Sequence, residues 1–127
     1  MSAAACKGGG ADVRKKAPRL VVGLGGPLGK AVEAHFAAAG WDVCRVEGDA
    51  GKAAAGKRAS AVVLATSGQA ESGYLSCAKL TAVRPHCRVV LVGPDDRRAA
   101  RFARLAGAVG YLPDGAGVAA VVRAVAG

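Results

Sequence analysis

Valine-rich apolar runs alternate with helix-period patterns five times along this chain. Leu20–Leu24, Asp42–Val46, Ala61–Thr66, Arg88–Gly93 and Val109–Leu112 read as strands, since short continuous apolar runs between turn residues suit strands buried on both faces. Between the first two, Pro27–Ala39 reads as a helix. Proline sits in its first turn, where no N–H is needed, and Leu28, Val32, Phe36 and Ala39 fall on one side. Gly40 stops it. Ala50–Arg58 is alanine-rich but carries Gly51 and Gly56, which predicts a marginal second helix. A third helix, Glu71–Val83, closes before Pro85. The fourth, Asp95–Ala106, opens on two acids that complement the helix dipole. In the last, Gly117–Ala126, Val118, Val121, Val122 and Val125 have the spacing of a buried face.

Strand-then-helix units with continuously apolar strands imply a parallel sheet, helices on both faces and right-handed crossovers. The predicted fold is therefore α/β: a three-layer, doubly wound, flavodoxin-like five-stranded sheet of order 2-1-3-4-5. In that order a ligand site falls at the carboxyl ends of strands 1 and 3, where the connections reverse direction. Here those ends are Gly23–Gly26 and Ala65–Gly68.

Length and composition narrow this picture. With 127 residues and 52% apolar content the chain suits one domain, placed at residues 19–127, after a flexible basic arm at 1–18 that carries Cys6, Gly8 to Gly10, Arg14, Lys15 and Lys16. Apolar stretches such as Val89–Val92 and Ala61–Ala65 fall far short of the roughly 20 residues of a membrane span. The arm lacks the apolar core of a secretory signal, so a soluble, cytoplasmic protein with no membrane partner is expected. The spacing of Cys6, Cys44, Cys77 and Cys87 suits neither zinc nor a redox dithiol, and all four read as reduced thiols. His35 and His86 are isolated and read as structural or solvated. The net charge of +9 favours acidic partners and nonspecific nucleic-acid contact. A stacking platform for single strands is not expected from five aromatic residues.

The second half resembles a known family. Arg88-Val-Val-Leu-Val-Gly-Pro-Asp-Asp-Arg-Arg, Leu105-Ala-Gly-Ala-Val-Gly-Tyr-Leu-Pro-Asp114 and Val118-Ala-Ala-Val-Val-Arg-Ala-Val-Ala-Gly127 are similar to strands 4 and 5 and the final helix of response-regulator receiver domains. Gly40-Trp41-Asp42-Val43 resembles the Gly-aromatic-acidic-Val opening of their second strand. The resemblance runs over about residues 19 to 127, and its most specific piece is the Gly-Ala-x-Gly-Tyr-Leu segment.

The family's working residues do not carry over. Receivers hold Mg²⁺ with an acidic pair after strand 1, where this chain has Gly23 and Leu24 followed by Gly25. The phosphoacceptor Asp that ends their third strand matches Ala65, the Ser or Thr that ends the fourth matches Gly93, and the Lys after the fifth matches Asp114. Clustered oxygen ligands for Mg²⁺ and a nucleophile are both missing. Tyr111, at the family's aromatic switch position, is kept. The resemblance thus implies a degenerate receiver that is no enzyme, needs no cofactor and acts by protein contact. Receivers dock partners and dimerise through the helix 4, strand 5, helix 5 face. On that face Arg97, Arg101 and Arg104 share one side of helix 4, roughly opposite Phe102, with Arg98 beside them. An ordinary solvated face explains the same stripe; the functional reading is binding of an acidic protein or a nucleic acid, and the face as a whole, with Tyr111 on strand 5, is also a candidate for a homodimer.

A second reading comes from another class. Gly23, Gly26 and Gly29 satisfy G-x-x-G-x-x-G between a strand and a helix, and Glu47 closes strand 2, as suits NAD(P) or a related nucleotide in a Rossmann-like regulatory domain. The loop resembles those of potassium-channel-type regulatory domains and of short reductases. The stricter G-x-G-x-x-G fails because its third glycine would fall on Leu28. Tyr-x-x-x-Lys is also missing, as Tyr74 is followed by Ala78 and Tyr111 by Gly115. Binding without turnover is the most this reading supports.

Overall fold

The computed structural model of the chain describes residues 17–47, 50–67 and 71–127. The basic arm, except for Ala17 and Pro18, lies outside these residues, as do Cys6 and Gly68. Among the described residues ten elements alternate: β1 (Arg19–Gly23), α1 (Gly26–Ala38), β2 (Asp42–Arg45), α2 (Ala50–Gly56), β3 (Ala61–Ala65), α3 (Gly73–Val83), β4 (Arg88–Gly93), α4 (Arg97–Leu105), β5 (Gly110–Pro113) and α5 (Val118–Ala126). All strand pairs are parallel and the sheet order is β2-β1-β3-β4-β5. The flavodoxin-like expectation holds in full.

Two cores follow from the period of two along each strand. Val21, Val62, Leu64, Val89 and Leu91 meet Ala50 and Ala54 of α2, Cys77 and Leu80 of α3, and Ala103 of α4. Their neighbours Leu20, Val22, Val63, Val90 and Val92 meet Val32 and Phe36 of α1 and Val121 and Val125 of α5. Because β1, β3 and β4 are covered on both sides, their central residues are shut off from water, and each Val or Leu contributes about 1.5–3 kcal/mol. That double coverage is why the strands read as unbroken apolar runs.

Element ends shift for identifiable reasons. The third helix begins at Gly73 rather than Glu71, because the Ser72 hydroxyl caps it by accepting from the Leu75 N–H at 3.2 Å. The fourth begins at Arg97, since Asp96 is itself the cap and accepts from the Arg98 N–H at 2.9 Å. Helix α1 ends at Ala38, so Ala39, expected on its buried side, is an exposed cap before Gly40. The marginal α2 runs only to Gly56.

At the edge of the sheet the Arg19 Nε donates to Asp42 Oδ2 at 2.9 Å, and the Arg19 Nη1 donates to the Lys57 carbonyl at 2.7 Å. These contacts tie β1 to β2 and to the end of α2; the partly exposed ion pair is worth at most about 1 kcal/mol. Cys77 and Cys87 are free and buried, as expected. Burial pushes both thiols up to about 11, Cys77 with help from Cys87, while the Arg84 charge partly opposes the rise at Cys87. Cys44 is disulfide-bonded, so the expectation of reduced thiols fails there. No described helix is long and apolar enough to cross a membrane.

Candidate functional site

Parallel order brings Gly23, Ala65, Gly93 and Asp114 to one end of the sheet. Gly23 pairs with Leu64, Ala65 with Val92, and Gly93 with Pro113, while the Asp114 N–H donates to the Gly93 carbonyl at 2.7 Å. The positions matched from sequence are therefore neighbours. Among the described residues no three His, Cys, Asp or Glu side chains are grouped to hold a metal ion.

At Gly23 and Gly93 the space that a side chain would need is filled. A β-carbon on Gly23 would stand 2.7 Å from Ala50 Cβ, because α2 leans directly on the end of β1. Leu24 turns away from the crevice into the core beneath α1. Beside Ala65, Gly73 opens α3 so tightly against β3 that its own β-carbon would stand 2.9 Å from Thr66 Cα. At Gly93 a β-carbon would overlap the Thr66 hydroxyl and lie 2.7 Å from the Tyr111 hydroxyl. Thr66 is buried, and the Tyr111 hydroxyl donates to the Pro94 carbonyl. Burial, reinforced by Tyr74 and then by the Asp114 and Asp96 carboxylates, pushes the Tyr111 phenol up to about 12. Thr66, Tyr74, Gly73 and Ala50 were not anticipated. The one signal in the sequence was a hydroxyl residue, Thr66, directly after an apolar strand.

The glycine loop has structural reasons of its own. Gly26 starts α1 at φ +67°, a conformation that disfavours side chains. Gly29 faces Leu24, whose carbonyl carbon would be 2.8 Å from an added β-carbon, and Gly23 faces Ala50. Gly25 and Gly26 alone border open space in this loop. Glu47 is exposed beyond the end of β2.

On α4, Arg97, Arg98, Arg101 and Arg104 are all exposed. The helix buries Ala99 and Ala103, and the phenylalanine expected opposite the arginines is 62% exposed. Phe102 lies between the buried and basic sides, its ring 5.8 Å from that of Tyr74. With exposed Leu105, it gives the arginine stripe an apolar border. Tyr111 packs toward the core of the α2, α3 and α4 side rather than outward.

The sequence matches no protein-family model and no curated protein. Solved structures do share its architecture. The signal receiver domain of NarL from Mycobacterium tuberculosis superposes with a TM-score of 0.74 at 20% identity, over 87% of this chain and 94% of that one. A response regulator receiver domain protein from Clostridium thermocellum gives 0.73 at 17% identity, over 87% and 91%. A response regulator from Burkholderia pseudomallei, solved with a phosphorylated aspartic acid, calcium ion and citrate, gives 0.73 at 20% identity, over 86% of this chain. The chain covers 66% of that protein. The fold is that of response-regulator receiver domains.

Proposed function

We propose that this chain is a cytoplasmic receiver-like signalling module that undergoes no phosphoryl transfer and acts by docking a protein on the α4, β5, α5 face. The observation that supports this most is the packing at Gly93, where Thr66 and Tyr111 fill the place of the hydroxyl that would meet a phosphoryl group. Ala65 offers no nucleophile, and Asp114 puts a carboxylate where a receiver has its lysine. Incubation with acetyl phosphate and Mg²⁺ is expected to leave the intact mass unchanged. Labelling at any Asp would overturn the reading.

The docking face presents four arginines beside Phe102 and Leu105, a combination suited to an acidic partner with apolar anchors. Two copies meeting stripe to stripe would set like charges together, which makes an acidic protein the better fit than a homodimer. Arg97→Glu with Arg101→Glu is expected to weaken retention on heparin, a probe of the basic stripe. If retention does not change, the face has no support.

A further inference from the structure

At the opposite, amino-terminal end of the sheet, the segments leading into β3 and β4 enclose a bowl of about 540 Å³. Arg58, Arg84, His86 and Arg88 are among its lining residues, together with the apolar Val83 and Pro85. Among the described residues no Asp or Glu lines it. The ion pairs among the described residues, Arg19 with Asp42, Arg45 with Glu33 and Lys79 with Glu71, all lie elsewhere. Arg88 is fixed, as its guanidinium donates to the Val125 and Ala124 carbonyls at the end of α5 at 3.1 and 3.3 Å.

Two further features converge on the rim. Arg58 is the one non-glycine among the described residues with positive φ, at 54°, and it holds this strained backbone at the mouth of the bowl. The Cys87 N–H donates to the Arg84 carbonyl at 3.0 Å, which fixes the turn that carries Arg84. Several cations on separate segments, without a carboxylate among the described lining residues, call for a ligand with more than one negative charge.

We propose that this bowl binds a nucleoside di- or triphosphate, its phosphate chain bridging Arg58 and Arg84 in the field of the fixed Arg88, and its base lying on Val83 and Pro85. The volume is that of a small-molecule site. Among the described residues His86 carries the one ring that lines the bowl, in place of the run of stacking surfaces that a nucleic-acid strand uses. The site stands apart from both α4 and the β1–α1 loop, so it is independent of the docking proposal.

Calorimetric titration of the full chain at physiological salt tests it with ATP, ADP, AMP and a single-stranded oligonucleotide. ATP and ADP are expected to bind, with AMP at least about tenfold weaker. Arg58→Asn with Arg84→Gln should weaken ATP by at least about tenfold, and Asn is chosen because it accepts the left-handed backbone. Arg97→Gln with Arg101→Gln removes the same charge from α4 and should leave ATP binding within about twofold. Amide shifts of the unmodified protein give a readout that does not depend on variants: ATP should move residues 58–60 and 84–88, not 24–26. No binding of ATP, equal loss in both double variants, AMP as tight as ATP, a tighter oligonucleotide, or shifts centred on 24–26 would each overturn the proposal.

Discussion

Replacing Gly29 by alanine is expected to lower the melting temperature by about 8 °C or more, although the same substitution in an ordinary helix stabilises. Gly29 lies inside α1, where alanine is favoured by about 1 kcal/mol. Against that, the new methyl group would press on the Leu24 carbonyl, a backbone group fixed between the end of β1 and the start of α1. It has no rotamer by which to yield. Overpacking of this kind costs about 1–3 kcal/mol and more where only backbone can move, so the net loss is about 2 kcal/mol. Gly56→Ala is the contrast, since a β-carbon there meets nothing within 4 Å. It should stabilise by about 0.4–1 kcal/mol. Thermal denaturation of the two variants decides the matter, and a stabilised Gly29→Ala would mean that β1 and α1 are not locked as described.

Gly93→Ala is expected to cost about 2 kcal/mol in the native background and much less in Thr66→Ala. The added methyl group collides with the Thr66 side chain first and the Tyr111 hydroxyl second, so removing Thr66 beyond its β-carbon relieves the larger clash. A coupling energy near zero would show that the two side chains do not share the site. Tyr111 supplies a second readout. With its phenol at about 12 rather than the ordinary 10, the folded state favours the neutral form, and this share of stability is intact below pH 10 and lost as pH rises through about 12. If Gly93→Ala pushes the ring from under Pro94, the phenolate absorbance should appear at lower pH. An unchanged titration would leave the ring where it is.

The sheet and its order were legible because strands buried on both faces leave unbroken runs such as Val89–Val92, and because Gly40 marks a helix end. The helix starts at Gly73 and Arg97 were misplaced because Glu71 and Asp95 look like first-turn acids, whereas Ser72 and Asp96 take the caps. Phe102 was set opposite the arginines by its apolarity. In fact α4 sits close enough to the sheet that alanines fill the gap, and the larger ring is left outside. At the strand ends, the identities of Ala65, Gly93 and Asp114 could be read one position at a time. The packing of Ala50 against Gly23 and of Thr66 and Tyr111 against Gly93 could not, because it depends on contacts between elements far apart in sequence. Arg58 and Arg84 form a site only after β3 and β4 lie side by side, so neither announces itself in the linear chain.

The sheet also has two open margins, and each is made a poor template. β2 and β5 are four residues long; the first carries Asp42, held by Arg19, and Arg45, which reaches Glu33 at 3.5 Å, while the second ends on Pro113, which has no N–H to offer. Short margins marked by charge or proline resist recruitment of further strands from other molecules. These margins therefore work against fibrillar stacking, to which apolar, β-branched central strands would otherwise be prone.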